Sequence, residues 1–198
     1  MDKYEYNLKL EEITKLADQG YYEDAADIID TIDWRRVRNV RTLCMISEIY
    51  EEVGRLQDSK ALLLRAYRKS QAVRSILFHL TEISVKLREF DDAAEFYSEF
   101  VEAAPHDNSR YLLKYMIYRG RGAAIEDQIE ILEQHVDDHE KDLINNHIER
   151  IMNSLCNPLS AVIFSDLVTD LERCSDHAIN LAYALKERPS EMDAPKII

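Results

Sequence analysis

The feature of this sequence that most constrains its fold is a period of 34 residues. Gly20 and Gly54 lie 34 positions apart, and the same step leads to Arg88 and then to Gly122. Three other columns keep this spacing, at four positions before, two after and five after each landmark: Leu16, Tyr50, Ser84 and Tyr118; Tyr22, Leu56 and Phe90; and Ala25, Ser59 and Ala93. Agreement of several columns at one period indicates structural repeats.

Each repeat is predicted to be a pair of antiparallel helices. A glycine at the landmark closes the first helix, because glycine adopts the left-handed cap conformation without steric cost. The small residue five positions later lets the second helix approach the first, and the apolar column fills the seam between them. Only 4 Gly and 4 Pro in 198 residues also favour long helices over a sheet, which needs frequent turns.

These columns resemble the tetratricopeptide repeat family over about residues 4–136. The third unit, REFDDAAEFYSEFVEAAP, carries the small–aromatic–proline order of that family most fully. The resemblance implies an all-α fold in which about four helix pairs, over residues 1–137, wind into a right-handed superhelix. It also implies a scaffold or adaptor that binds a peptide or protein segment. The ligand is not implied, since such arrays share architecture and not ligands.

The net charge and the cysteine content indicate which kinds of binding partner and which cellular compartment to expect. A net charge of −13 disfavours nucleic acid and anionic membrane surfaces and suits a basic peptide or a cation, although it also simply keeps many proteins soluble. An odd number of cysteines, 3, without a CxxC pair favours a reducing compartment. The start MDKYEYNLKLEE lacks signal-peptide features, and no apolar stretch is long enough to span a membrane. We therefore expect a cytoplasmic protein.

A basic run interrupts this acidic chain between the first two repeats. It consists of Trp34, Arg35, Arg36 and Arg38, with Arg41 close behind. One interpretation is a solvated turn whose arginines pair with neighbouring aspartates. The other is a partner-binding clamp, in which the arginines bind a carboxylate or phosphate and the tryptophan is an anchor.

The 34-residue register fails after residue 137. We expect a helical hairpin over residues 138–188, followed by a flexible tail over 189–198. On its second helix Glu172 and Asp176 are four residues apart, so the two carboxylates lie on one flank. They form either a solvated helix edge or part of a cation site. No HExxH, GxSxG, CxxC or phosphate-binding glycine loop is present, so we expect no enzymatic activity.

The segment HIERIMNSLCNPLSAVIFSDLVTDLERCSDHAINLAYAL resembles the last helical hairpin of the PhoU family of phosphate-uptake regulators. The resemblance implies a divalent or iron-type metal ion at Glu172 and Asp176. It offers an alternative function, regulation of phosphate transport, with docking to a membrane transporter. The family has two three-helix bundles and this chain has one hairpin, so the hairpin would complete its bundle with a second copy, giving a homodimer, or with the last repeat helix. It could also be a remnant.

Overall fold

The computed structural model describes residues 3–34, 37–70 and 73–186. Within these ranges the chain forms helices and no strands, which confirms the all-α prediction. The helices are α1 (Lys3–Asp18), α2 (Tyr22–Asp30), α3 (Val40–Glu52), α4 (Leu56–Tyr67), α5 (Arg74–Lys86), α6 (Phe90–Ala103), α7 (Ser109–Arg121), α8 (Ile125–Met152) and α9 (Pro158–Lys186). In the described part of the chain, none of them combines the length and apolar character needed to cross a bilayer.

The chain divides into two compact units, Met1–Arg121 and Gly122–Ile198. The first contains α1 to α7, in which α1 packs on α2, α3 on α4 and α5 on α6. The second is the pair α8 and α9. The boundary expected at residue 137 falls inside α8, which is continuous from Ile125 to Met152.

The repeat landmarks share one backbone conformation. The φ angles are 79° at Gly20, 75° at Gly54, 62° at Arg88 and 74° at Gly122, all in the left-handed region. At the first three landmarks the next amide donates back to the carbonyl four residues before the landmark, for example from Arg55 to Tyr50 over 2.7 Å. This is the Schellman cap. The register therefore places Arg88 in a conformation that its own side chain disfavours.

The small column makes the seams of the helix pairs. Ala25, Ser59 and Ala93 are each 0% exposed. A second close approach lies at Gly120, where an added Cβ would come within 2.6 Å of Cε1 of Phe90. A larger side chain at any of these positions would force helices apart.

Polar bonds join each repeat to the next. Arg55 binds Asp30 over 2.7 Å, and its guanidinium lowers the pKa of that carboxyl group. Lys60, whose side chain is 7% exposed, binds Asp92 over 2.6 Å and also binds Glu89. A buried ammonium needs such partners, because desolvation alone would disfavour its charge. These bonds fix the register between repeats.

The second unit is closed by the same kind of cap. Ser154 has a φ of 56°, and the amide of Leu155 donates to the carbonyl of Arg150 over 2.8 Å. This cap lies 32 residues after Gly122, which is outside the 34-residue register of the first unit. Buried His147 fastens the pair, since its Nε2 lies 3.1 Å from the carbonyl of Ala161 and its ring lies 4.4 Å from that of Phe164.

Candidate partner-binding site

The first unit carries a groove of about 850 Å³ between α1 and α3. Helices α1 and α3 are the first helices of successive repeats. Helix α2 follows α1 in the chain and packs against both of them. Side chains from both helices line the groove, together with one from the start of α2: Leu10, Thr14, Ala17, Asp18, Tyr22, Arg41, Thr42, Cys44, Met45, Glu48, Ile49 and Glu52.

The middle of the groove is apolar. Leu10 and Ala17 come from α1, and Met45 and Ile49 come from α3. Their neighbour Cys44 is half-buried, and burial, assisted by the charge of Glu48, raises the pKa of its thiol. The thiol is therefore neutral and behaves as a small apolar side chain. Such a surface can hold the apolar side chains of a bound segment.

The charge of the groove changes sign along α3, from Arg41 at one end, past Glu48 among the apolar residues, to Glu52 at the other end. Arg41 lies in the first turn of α3, whereas Glu48 and Glu52 lie two and three turns further along the same helix. Asp18, the last residue of α1, adds a third carboxylate to the lining. Eleven residues of helix separate Arg41 from Glu52, a distance of roughly 16 Å. The lining therefore carries charges of opposite sign towards its two ends.

The next repeat presents equivalent positions at a spacing of 34 residues. Phe78 on α5 corresponds to Cys44, and it lines a smaller groove of about 500 Å³ together with His79. Nδ1 of His79 lies 3.6 Å from Oε2 of Glu82, and the carboxylate raises the pKa of the imidazole. Glu48 thus recurs as Glu82. Arg41 and Glu52, in contrast, correspond to Ser75 and Lys86, so the charge pattern of the first groove is not repeated in the next repeat.

The predicted clamp residues are only partly brought together. Trp34 is half-buried against the core, and its indole Nε1 donates to the carbonyl of Ile29 over 2.8 Å. That hydrogen bond holds the connector after α2 against the helix, so the N–H edge of the indole ring has a structural role. Arg38 is exposed, and Arg41 is exposed and lines the groove. Arg35 and Arg36 lie outside the described residues.

Of the residues that line the groove, only Arg41 is named from the sequence as a partner-binding residue, and its role in binding stays a prediction. The sequence signal that could have indicated the other lining residues lies on one face of each first helix, where none of the repeat columns has a residue. Cys44 and Phe78 lie 34 residues apart on that face, as do Glu48 and Glu82. Cys44 and Phe78 also pack against the core, whereas Glu48 is exposed and Glu82 is half-buried, so the recurring carboxylate is the clearer signal.

The predicted metal residues lie on α9. Glu172 is half-buried and Asp176 is exposed. Desolvation, followed by the charges of Asp176 and of Glu140 and Asp137 on α8, raises the pKa of Glu172. Over residues 3–34, 37–70 and 73–186, no group of three or more His, Cys, Asp or Glu side chains is arranged to hold a metal ion.

Comparisons with known proteins identify the architecture. No family model matches the chain, and no curated protein matches it. A solved tetratricopeptide repeat protein from Parabacteroides merdae is similar with a TM-score of 0.58 and 11% identity, over 96% of this chain and 68% of that one. MamA from Desulfovibrio magneticus is similar with a TM-score of 0.56 and 19% identity, over 86% and 96%. BtubC from P. vanneervenii gives 0.51 and 15%, over 95% and 85%.

The comparisons confirm the predicted tetratricopeptide-like helical repeat fold. They lend no support to the predicted resemblance of residues 138–188 to the PhoU family. The identities are low, so the neighbours establish the fold and not the ligand.

Proposed function

We propose that this protein is a non-enzymatic scaffold that binds a peptide or protein segment in the groove between α1 and α3. The observation that carries the proposal is the lining of that groove, which has an apolar centre and charges of opposite sign at its two ends. A repeat scaffold holds such a surface rigidly, and rigid placement reduces the entropy that binding costs.

The bound segment has a defined charge pattern in this proposal. Arg41 binds a carboxylate at one end of the segment, because a guanidinium pairs with a carboxylate through two parallel hydrogen bonds. Aliphatic side chains of the segment cover Met45 and Leu10. Lysine or arginine side chains at its other end meet Glu48 and Glu52. In this proposal Arg41 is the one residue of the predicted clamp that contacts the segment, whereas Trp34 has a structural role.

Three labelled peptides test this pattern. The first carries an aspartate, an aliphatic centre and two lysines; the second is acidic at both ends; the third is basic at both ends. We expect the parent protein to bind the first at least roughly tenfold more tightly than the others in fluorescence polarisation, since one unmatched charge costs about 1–3 kcal/mol.

Charge reversal in the groove should exchange these preferences. Glu48→Lys with Glu52→Lys should weaken the first peptide and favour the second, and Arg41→Glu should favour the third. The matched control is Asp24→Lys with Asp27→Lys, which makes the same change of net charge on exposed positions of α2. If the control shifts affinity as much as the groove variant does, net charge and not the groove governs binding, and the proposal fails.

The alternative function, regulation of phosphate transport through a metal-bearing hairpin that docks on a membrane transporter, rests on the PhoU resemblance alone. Glu172 and Asp176 with Asp137 and Glu140 do give the hairpin a concentration of carboxylates. Metal binding there stays a prediction, which elemental analysis can test.

A further inference from the structure

Helix α9 has an apolar face that nothing covers in the described part of the chain. Its packed face, with Ala161, Phe164 and Val168, lies against α8. A second stripe on α9 stays exposed: Leu159 71%, Ile163 61%, Leu167 56%, Leu171 61% and Leu181 61%. At about 100° per residue this stripe lies roughly 100° around the helix from the packed face.

The stripe is large enough to contribute an interface. An aliphatic side chain buries on the order of 100 Å², so these five expose roughly 300 Å² per chain. Two copies would bury roughly 600 Å² of apolar surface, against the ~900 Å² of apolar area in a standard interface.

The order of residues along the stripe is close to symmetric about Leu171. Exposed Cys174 and Ala178 fill its second half. When two copies of α9 run antiparallel with Leu171 facing itself, two large side chains lie near smaller ones, Ile163 near Ala178 and Leu167 near Cys174, and Leu159 lies near Leu181. A two-fold axis requires this kind of self-complementary surface.

The charges beside the stripe select the same arrangement. Asp166 and Asp170 lie on one edge before the centre, and Arg173 and His177 continue that edge after it. Asp170 and Arg173 are 73% and 67% exposed. In an antiparallel pair, the acidic half of one edge faces the basic half of the other. In a parallel pair with a two-fold axis, this edge of one copy would face the opposite edge of the other, so the acidic and basic halves would not meet.

We propose that this stripe of α9 binds α9 of a second copy of the chain, antiparallel and centred on Leu171. The homodimer brings the repeat units of two chains into one assembly, so the protein presents two partner-binding grooves. A bivalent scaffold binds a partner that carries two segments more tightly than one groove does.

Sedimentation equilibrium of the full chain tests the contact. We expect the parent to be a dimer and Leu171→Lys to be a monomer, because two lysines would meet at the two-fold axis. Circular dichroism should show unchanged helix content, since the position is exposed. Ile125→Lys, on a residue of α8 that is 62% exposed, is the matched control and should stay dimeric.

A charge exchange tests the orientation. Asp166→Lys with Asp170→Lys makes the whole edge basic, and Arg173→Asp with His177→Asp makes it acidic. Neither variant should self-associate, whereas their equimolar mixture should form a 1:1 heterodimer. A monomeric parent at the highest soluble concentration would overturn the proposal, as would two variants that each dimerise like the parent. A mixture that stays monomeric would overturn the antiparallel arrangement.

Discussion

Arg88 occupies a landmark position where every other repeat has glycine, and this makes Arg88→Gly a direct test of the repeat geometry. The residue has a φ of 62°, in the left-handed region, and the amide of Glu89 after it donates to the carbonyl of Ser84 over 2.9 Å to close the cap. The cap needs this backbone conformation whatever the side chain is. Removing the Cβ should therefore stabilise the protein.

The magnitude follows from two opposing terms. A non-glycine residue in the left-handed region costs about 1–2 kcal/mol. Glycine loses more backbone entropy on folding, which returns about 0.5–1 kcal/mol of that gain. The net gain for Arg88→Gly is then roughly 0.5–1 kcal/mol, or an increase in Tm of roughly 1–4 °C.

The assay is thermal unfolding followed by the fluorescence of Trp34, the only tryptophan in the sequence, which lies in the first unit with Arg88. Gly54→Ala is the matched opposite change: its φ is 75° and an added Cβ would meet nothing within 4 Å, so only backbone strain should destabilise it, by about 1 kcal/mol. If Arg88→Gly is destabilising while Gly54→Ala is neutral, the shared cap geometry is wrong.

Three other predictions concern a seam, a titrating pair and the acidic flank of α9. Ala93→Leu should overpack a completely buried seam and cost about 1–3 kcal/mol in urea unfolding; a variant that unfolds like the parent would contradict the seam. Glu82 raises the pKa of His79, so the ion pair stabilises the fold fully below the unfolded pKa of about 6.5, and this stabilisation is lost as the pH rises through the higher folded pKa. In His79→Gln the free energy of unfolding should therefore depend less on pH. An unchanged pH profile of stability would exclude the ion pair. Glu172→Gln with Asp176→Asn should slightly stabilise chelator-treated protein through reduced repulsion between the carboxylates. Elemental analysis before chelation should find metal in the parent and none in this variant if the metal prediction holds.

The parts of the fold that were predictable from the sequence are those that local geometry dictates. A left-handed cap favours glycine, and a tight seam between helices requires a small side chain, so both residue types recur in the sequence at a fixed spacing. In the second repeat they are Gly54 and Ser59. Even Arg88 could be placed, because the neighbouring columns fix the register independently of the residue at the landmark.

The groove and the length of α8 were not predictable in the same way. Glu48 and Glu52 are ordinary exposed carboxylates in the sequence, and only the placement of α1 beside α3 makes them one end of a groove. The structural role of Trp34 depends on the carbonyl of Ile29, an acceptor that exists only once α2 has formed. Helix α8 continues through residue 137 because no cap residue stops it before Ser154.

The most direct test of the account is to locate a bound segment on the first unit. A photoreactive benzoylphenylalanine at Met45, on the floor of the groove, should crosslink to the peptide that carries an aspartate, an aliphatic centre and two lysines. The same group at Asp27, exposed on α2, is the matched control. We predict crosslinking at position 45 that unlabelled peptide competes away, and none above background at position 27. Equal crosslinking at the two positions, or crosslinking at position 27 alone, would contradict a partner-binding groove between α1 and α3.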